Sequence, residues 1–389
     1  GKMNIQEMDQ RYIANTYARF PVTLVSGKGS ILTDEAGKEY IDLAGGIAVN
    51  TFGIADEQWQ KAVTDQLSRL QHTSNLYYTE PCVKLAELLC ERTGMKNVFF
   101  SNSGAEANEC AIKAARKYAA DQKGKDCFTI ITLNGSFHGR TITTLAATGQ
   151  DSFHHDFTPL TPGFVYVEAN DSADLIQKIT KNNVAAILFE VVQGEGGVNR
   201  LTEKFVKQMQ EIALEQDILL IADEVQIGNG RSGKLYGYMN YDIQPDIVTT
   251  AKGLGGGLPI GATLFGEKTA DVLTPGLHGS TFGGNPVCCA GALNILSRID
   301  EKLLKEVREK SEYIRSQLEG ASGIKSITGL GLMLGLETVK DASAIISDCL
   351  EKGVLILKAK EKIRLLPPLN ITMEELDKAI MTIKEVCAQ

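Results

Sequence analysis

Residues 218–234 read ILLIADEVQIGNGRSGK, an apolar run that ends in two acids and continues into glycine-rich backbone. A run without polar alternation predicts a strand that is covered on both faces, as in parallel α/β sheets. In such sheets, ligands bind beyond the carboxyl ends of the strands, so Asp223 and Glu224 lie where a site is expected. Solvated acids in a turn at the end of the strand are the alternative interpretation.

A second stretch, residues 247–259, reads IVTTAKGLGGGLP and places Lys252 after another apolar strand. Four of the five residues that follow Lys252 are glycines, which bring backbone close to a ligand or turn it sharply. Burial would lower the pKa of this lysine and make its amine nucleophilic, as Schiff-base chemistry requires. A lone lysine is more often a surface residue, but the acid-bearing and lysine-bearing strands together favour a catalytic site.

The same region contains a misleading match to a nucleotide-binding motif. Gly228–Lys234 satisfies the Gly-x-x-x-x-Gly-Lys part of a P-loop, but Leu235 stands where a hydroxyl is needed for the magnesium ion. A P-loop nucleotide-binding protein is therefore the disfavoured alternative.

Further apolar strands alternate with helical stretches along the middle of the chain, which predicts an α/β fold with a large, mostly parallel sheet. The predicted strands are Val98–Phe100, Phe128–Leu133, Phe164–Val167, Ala185–Val192 and Ala262–Phe265, and the predicted helices include Ser172–Thr180, Thr202–Gln216 and one long helix over Ala290–Leu318. The two ends differ from the middle. Residues 21–43 predict a β meander, and residues 300–389 predict four short strands and a final helix opened by a capping box at Thr372.

The composition narrows the class of protein. The chain has 389 residues, a net charge of −8 and a pI of about 5.4, which disfavours nucleic acid as a partner. No apolar run approaches the roughly 18 residues of a membrane helix, and the first residues lack the apolar stretch of a signal peptide, so we expect a cytoplasmic protein without a membrane partner. The eight cysteines include no CxxC pair and no histidine at ligand spacing, so no metal site is predicted.

The motifs taken together resemble the class III (subgroup II) pyridoxal-phosphate aminotransferases along most of the chain. The run from Ala222 to Gly261 resembles the signature of this family, and other matching segments follow in the family's order. They are residues 15–19 (NTYAR), 45–50 (GGIAVN), 72–77 (HTSNLY), 137–141 (FHGRT), 193–197 (QGEGG) and 278–286 (HGSTFGGNP). The resemblance implies the type I fold of pyridoxal-phosphate-dependent transferases. A large sheet domain, 51–285, would lie between the two parts, 1–50 and 286–389, of a small α+β domain.

The resemblance also implies roles for residues around the cofactor, pyridoxal 5'-phosphate. Lys252 would form the Schiff base and shuttle the proton, and Asp223 would keep the ring nitrogen protonated so that the ring withdraws electrons. Further residues implied to contact the cofactor are Ser103, Gly104, Ala105, Phe137, His138, Gln226 and Thr281. If the resemblance to the family is set aside, Ser103, Gly104 and Ala105 are interpreted as an ordinary helix cap, and Phe137 as an aromatic residue of the core. Thr281 would reach the phosphate from the neighbouring subunit, so a homodimer with shared active sites is expected.

Two arginines fit the carboxylate-binding positions of the family, Arg140 and Arg364, and Tyr17 and Ser280 complete the implied substrate site. Glu195 resembles the acid that pairs with the C-terminal arginine in related enzymes. The pair would mask Arg364 while an ω-amino substrate binds and release it for an α-amino dicarboxylate. A buried ion pair with a structural role is the alternative.

The implied reaction moves the terminal amino group of N2-acetylornithine to 2-oxoglutarate, giving N-acetylglutamate 5-semialdehyde and glutamate by a reversible ping-pong route in arginine biosynthesis. Ornithine, succinylornithine, succinyldiaminopimelate and 4-aminobutyrate remain alternative substrates. A catalytically silent binding protein is disfavoured because Lys252 and Asp223 are both retained. One segment departs from the family: after Asn50 the family commonly has Leu-Gly-His-x-His-Pro, whereas residues 51–57 read TFGIADE. We expect altered packing there, with Asp56 capping the next helix.

Overall fold

Strands and helices alternate through the computed structural model, which describes residues 1–389. The strands are β1 (Leu24–Lys28), β2 (Ile31–Asp34), β3 (Glu39–Asp42), β4 (Asn97–Ser101), β5 (Thr129–Leu133), β6 (Phe164–Val167), β7 (Val184–Phe189), β8 (Val192–Gln193), β9 (Asn199–Arg200), β10 (Leu219–Asp223), β11 (Ile247–Thr250), β12 (Gly261–Phe265), β13 (Ile324–Leu330), β14 (Met333–Thr338), β15 (Val354–Leu355), β16 (Leu357–Ala359) and β17 (Lys362–Leu365). The helices are α1 (Ile5–Tyr12), the short turn α2 (Gly45–Ala48), α3 (Glu57–Leu67), α4 (Glu80–Thr93), α5 (Gly104–Lys123), α6 (Ile142–Ala147), α7 (Ser172–Lys181), α8 (Glu203–Gln216), α9 (Pro286–Arg298), α10 (Glu301–Leu318), α11 (Ala342–Glu351) and α12 (Met373–Ala388). No helix combines the length and the apolar character that crossing a bilayer would require.

Seven strands form the central sheet in the order β4-β12-β11-β10-β7-β5-β6. β12 alone runs antiparallel to its neighbours, and the other six strands share one direction. The predicted α/β class with a large, mostly parallel sheet is therefore confirmed. The carboxyl ends of six strands meet at one edge of this sheet, where β12 begins.

The central sheet is covered on both faces. Every residue of β5, β7, β10, β11 and β12 is buried, and successive side chains of a strand point to opposite faces. Helix α5 packs across β4, β12, β11, β10 and β7. Its buried residues are mostly alanines, including Ala107, Ala111, Ala114 and Ala115, which let the helix lie close to the strands.

Strands from both ends of the chain share an outer sheet. The meander β1-β2-β3, predicted for residues 21–43, is confirmed, and β3 also pairs in parallel with β15 from the C-terminal part. A second four-stranded sheet has the order β13-β14-β17-β16. The pairing of β3 with β15 supports a small domain built from 1–50 and 286–389 around a large domain of 51–285, and that division stays a prediction.

Three predictions of individual elements were wrong. The four strands predicted within residues 300–389 are five, because the strand expected at 354–357 is divided into β15, which pairs with β3, and β16, which pairs with β17 in another sheet. The single helix over Ala290–Leu318 is two helices, α9 and α10, because Asp300 is extended and its side chain accepts a hydrogen bond from the Leu303 N–H, which starts a new helix. The predicted strand Ala185–Val192 ends at Phe189, and Glu190 leaves it toward a central cavity.

Residues 51–57, which depart from the family pattern, have a local structure of their own. Asp56 accepts a hydrogen bond from the Trp59 N–H at 3.0 Å and caps α3, as predicted. The same carboxylate accepts hydrogen bonds of 2.5 and 2.9 Å from Arg298, whose guanidinium carbon lies 4.0 Å from the centre of the Phe52 ring. The segment thereby ties α3 to α9, which packs against it.

The P-loop-like segment Gly228–Lys234 is a structural connection. Arg231 is buried and donates hydrogen bonds to the carbonyls of Leu332 and Pro367 at 2.8 and 2.9 Å. Burial without a directly bonded carboxylate lowers the pKa of its guanidinium to about 9. The segment joins the central sheet to the C-terminal part of the chain and opens no helix onto a phosphate.

Candidate active site

A cavity of about 430 Å³ lies at the edge of the sheet where the parallel strands end. Eight of the predicted site residues line it: Ser103, Gly104, Ala105, Phe137, His138, Asp223, Gln226 and Lys252. They lie at or just after the ends of β4, β5, β10 and β11, which are far apart in sequence and belong to one sheet. The common direction of these strands therefore creates the site.

Asp223 is held at the bottom of the cavity by three donors. Its Oδ2 accepts hydrogen bonds from His138 Nδ1 at 2.7 Å and from Asn108 Nδ2 at 2.9 Å, and its Oδ1 accepts one from the Val225 N–H at 3.0 Å. Only 3% of Asp223 is exposed. A carboxylate with so many fixed donors has one orientation, which suits a group that must face a positive charge.

Glu224, the second acid of the motif, does not line the cavity. Its carboxylate accepts hydrogen bonds from the N–H groups of Gly237 and Tyr238 at 2.5 and 3.0 Å, and so it holds a helical turn at Gly237–Asn240. Complete burial raises the pKa of Glu224 to about 8. The expectation that both acids belong to the site was therefore wrong for Glu224, because adjacent residues of an extended chain point in opposite directions.

Lys252 lines the same cavity as Asp223 and has a strained backbone. Its φ is 41°, in the left-handed region that residues with a side chain rarely occupy. Its Nζ makes no hydrogen bond and no ion pair within 4.0 Å. Part of the side chain faces the open cavity, yet desolvation of the ammonium lowers the pKa of Lys252 to about 8. Strain and a lowered pKa at one lysine are typical of a functional site.

Glu195 and Arg364 form an ion pair beside the cavity. Arg364 Nη1 lies 3.2 Å from Glu195 Oε1 and also donates to Gln226 Oε1 at 3.0 Å, while Nη2 donates to the Lys358 carbonyl at 3.3 Å. The Arg364 side chain is 4% exposed and that of Glu195 is 30% exposed. The arginine is thus fixed, and the acid that covers it is the partner with access to solvent.

The first turn of α5 forms one wall of the cavity. Ser103 Oγ accepts a hydrogen bond from the Glu106 N–H at 3.1 Å and caps the helix, so the N–H groups of Gly104 and Ala105 have no partner inside the helix. A side chain at Gly104 would come within 2.6 Å of Val225, so only glycine allows this close approach. Free N–H groups at the start of a long helix favour an anion.

Arg140 lies beside the ring of Phe137, which is part of the cavity wall. The Phe137 ring lines the cavity and packs edge-on against Phe153, with 6.0 Å between ring centres. Arg140 is exposed, and its guanidinium carbon lies 5.7 Å from the Phe137 ring centre and 5.0 Å from that of Phe153. No carboxylate of this chain pairs with Arg140, which leaves its five N–H donors free.

Three predicted residues lie away from the cavity of their own chain. Tyr17 is 68% exposed and lines a neighbouring apolar pocket formed by the N-terminal segment. Thr281 lines a small polar pocket next to residues 72–75. Ser280 is linked to the cavity only through Asn102, whose Nδ2 donates to the Ser280 hydroxyl at 3.1 Å.

Glu190 and Asn108 are among the residues of the cavity that sequence reasoning missed. Glu190 lines the cavity, accepts a hydrogen bond from the Phe137 N–H at 2.9 Å, and has a pKa well above its usual range because it is buried. Glu190 follows an apolar strand just as Asp223 does, so the same rule would have found it. Asn108, one turn into α5, gave no separate signal.

Comparison with known proteins agrees with this geometry. The family description "Aminotransferase class-III" matches residues 12–387. The acetylornithine aminotransferase of Haemophilus ducreyi is 49% identical over 99% of this chain and 98% of that protein. The acetylornithine aminotransferase of Aquifex aeolicus is 47% identical over 96% of this chain and 99% of that protein.

Solved structures have the same fold. The ornithine aminotransferase of Toxoplasma gondii superposes with a TM-score of 0.93 at 33% identity, covering 98% of this chain and 93% of that one. The N-acetylornithine aminotransferase of Stenotrophomonas maltophilia superposes with a TM-score of 0.84 at 36% identity, covering 98% of both chains. The chain therefore belongs to the class III aminotransferases, a family of enzymes that depend on pyridoxal phosphate.

Proposed function

We propose that this aminotransferase moves the terminal amino group of N2-acetylornithine to 2-oxoglutarate, giving N-acetylglutamate 5-semialdehyde and glutamate in arginine biosynthesis. The observation that carries the proposal is the buried Arg364, covered by Glu195, beside a cavity that holds Lys252 and Asp223. Such a site suits two substrates that differ in whether they bring an α-carboxylate to Arg364. The acetylornithine aminotransferases named above support the choice of substrate.

The cavity fits pyridoxal phosphate. The free N–H groups of Gly104 and Ala105 would hold the phosphate, and the Phe137 ring would cover one face of the pyridine. Gln226 uses its carbonyl to accept from Arg364, so its amide N–H₂ remains available for the ring hydroxyl. The chemistry supplied by the bound cofactor is withdrawal of electrons from the substrate carbon that carries the amino group.

Side chains of this protein would orient the cofactor and transfer the proton of the substrate carbon that carries the amino group. Asp223, oriented by His138, Asn108 and the Val225 N–H, would face the pyridine nitrogen and favour its protonated form. Lys252 Nζ would take the proton from the substrate carbon and return it, for which a pKa of about 8 is well suited near neutral pH. Glu190, buried and with a raised pKa, keeps the cavity floor free of a further negative charge when it is protonated.

The pair of Glu195 and Arg364 would let one site accept both substrates. With N2-acetylornithine, the reacting amine is remote from the α-carboxylate, and Glu195 would stay on Arg364. With glutamate, the α-carboxylate would displace Glu195 and take the fork of Arg364, while Arg140 would bind the side-chain carboxylate. Glu195 can leave because it is the more exposed partner.

We also propose that the enzyme is a cytoplasmic homodimer with shared active sites and with no nucleic-acid or membrane partner. Large apolar side chains are exposed at Leu76, Tyr77, Tyr78 and Phe282, which favours burial of this surface against a second subunit. Thr281 lies outside the cavity of its own chain and next to this surface, so a neighbour's Thr281 would complete the phosphate site. The net charge of −8 disfavours binding to nucleic acid.

A panel of amino donors tests the proposal. We expect kcat/KM with 2-oxoglutarate as acceptor to be highest for N2-acetylornithine. In single-turnover half-reactions with each amino donor alone, Glu195→Ala should raise the preference for glutamate at the expense of acetylornithine. The control is Glu57→Ala, which removes an exposed acid that pairs with Lys28 far from the cavity. If Glu195→Ala left the preference between glutamate and N2-acetylornithine unchanged, the proposal that Glu195 masks Arg364 would be refuted.

Ornithine is the second candidate substrate. It is favoured by the close superposition on the T. gondii ornithine aminotransferase. Both molecules present a terminal amine, and they differ in the acetyl group on the α-nitrogen. A higher kcat/KM for ornithine than for N2-acetylornithine in the same panel would replace the first proposal by this one.

A further inference from the structure

Alternate carbonyls around Lys252 are held by side chains from three separate segments. The carbonyl of Ala251 accepts a hydrogen bond from Asn229, that of Gly253 from Thr51, and that of Gly255 from Trp59. The donor–acceptor distances are 3.2, 2.7 and 3.0 Å. We call Asn229, Thr51 and Trp59 the carbonyl clamp. None of the three was predicted as a site residue, and none belongs to β11 or to the glycine run.

The clamp is itself rigid. Asn229 is 2% exposed, its Nδ2 also donates to Thr250 Oγ1 at 2.9 Å, and its Oδ1 accepts from the Tyr236 hydroxyl at 3.2 Å. Because both ends of the amide have partners, its orientation is determined. Thr51 is 1% exposed, and a Cβ on Gly253 would lie 2.9 Å from its hydroxyl, so the Thr51 side chain packs directly against the backbone of Gly253.

The backbone that the clamp holds is strained. The strain lies at Lys252, whose φ of 41° is in the left-handed region that residues with a side chain rarely occupy. Four of the five residues after Lys252 are glycines, so the side chains of this stretch do little to restrict its own backbone conformation. A conformation of this kind persists only where the surroundings impose it.

We propose that the carbonyl clamp of Asn229, Thr51 and Trp59 positions Lys252 by holding the backbone around this strained residue, so that the amine stays in the cavity that Asp223 also lines. The three are positioning residues, because they act on the peptide carbonyls and touch neither substrate nor cofactor. This inference rests on the proposed role of Lys252 as the reacting amine.

The test is Thr51→Val, which removes the donor and keeps the shape. We expect kcat to fall roughly tenfold, the size of one lost hydrogen bond to a strained element, with KM changed less than about twofold. Competitive acetylation of the full-length chain freed of cofactor would report Lys252 directly. Its labelling midpoint should move to higher pH in Thr51→Val, because the amine becomes less desolvated. Thr51→Ser, which restores the hydroxyl, should return both quantities toward wild type.

Thr93→Val is the matched control. Thr93 is also buried and donates to a carbonyl, that of Leu89, at 2.7 Å, but it lies at the end of α4 and outside the cavity. A loss of stability alone would lower the melting temperature in both variants without moving the labelling midpoint of Lys252. If Thr51→Val matched wild type in kcat and in labelling midpoint, the proposal would be overturned.

Further measurements distinguish a failure of the clamp proposal from a variant that does not fold and from a failure of the proposed function. If Thr51→Val does not fold, Trp59→Phe removes the donor to Gly255 and carries the test with the same expected direction. If borohydride fixes no cofactor on Lys252 in the wild-type holoenzyme, the proposed function itself fails. Normal fixation on Lys252 with no effect of either clamp variant refutes only the clamp.

Discussion

The lowered pKa of Lys252 leads to a quantitative prediction for the chain freed of cofactor. A pKa of about 8 in place of the usual 10.5 leaves about one amine in ten uncharged at pH 7, against about one in three thousand for an ordinary lysine. Lys252 should therefore present roughly 300 times more nucleophile at neutral pH than an unperturbed lysine does. The physical cause is desolvation of the ammonium among the walls of the cavity.

The perturbation is Glu195→Gln, which removes a charge and keeps the side-chain shape. After desolvation, the carboxylate of Glu195 is the largest influence on the pKa of Lys252, and it raises that pKa because a negative charge favours the ammonium. Removing the charge should lower the midpoint below about 8. Arg364 acts in the opposite sense, so Arg364→Met should raise the midpoint.

The assay is trace acetylation between pH 6 and pH 11, with the Lys252 peptide quantified by mass spectrometry. The amine form reacts, so labelling should rise with pH and reach half of its maximum near pH 8. The same chain unfolded in urea is the control and should titrate near 10.5. A folded-state midpoint above 10, or an upward shift in Glu195→Gln, would refute the argument from desolvation and charge.

Three further changes test other parts of the structure. Asp223→Asn keeps the size of the side chain but loses the charge and one of the two acceptor oxygens, and should lower kcat at least about 100-fold in steady-state assays; a loss below tenfold would contradict the role of Asp223. Asp56→Ala removes a helix cap and the partner of Arg298, and should lower the free energy of unfolding by about 2 kcal/mol in urea titration, whereas the exposed Glu57→Ala should change it by less than about 0.5 kcal/mol. Mixed dimers of Lys252→Ala and Thr281→Ala chains should contain one intact site and exceed the activity of both parents; no gain on co-expression would argue against shared sites.

The pattern of apolar and polar residues predicted much of the fold, because the burial of each strand or helix is reflected in its own sequence. The uninterrupted apolar runs predicted β10 and β11 with little error, since a strand buried on both faces must be apolar along its length. The break between α9 and α10 was missed because residues 290–318 keep a helical spacing of apolar residues. Asp300 was not recognised as a cap within that spacing.

The residues of the site likewise fall into those that a local sequence pattern identifies and those that it does not. Lys252 and Asp223 were identified because each follows an apolar strand and matches the motif of a family. Glu190 obeys the first rule and was overlooked, whereas Asn108 and the clamp residues Thr51 and Trp59 carry no local sign of their role. Their partners lie 115, 202 and 196 residues away in the chain, so only folding brings them together.

The sequence by itself determined the fold class, the family and the two residues at the centre of the site, because strand burial and motif spacing are local properties. The tertiary structure alone decided which acid of the Asp223–Glu224 pair faces the cavity, that Glu195 is the exposed partner and Arg364 the buried one in their ion pair, and that the backbone of Lys252 is strained. These depend on direction, distance and exclusion of water, and such quantities arise only when segments distant in the chain are packed against one another.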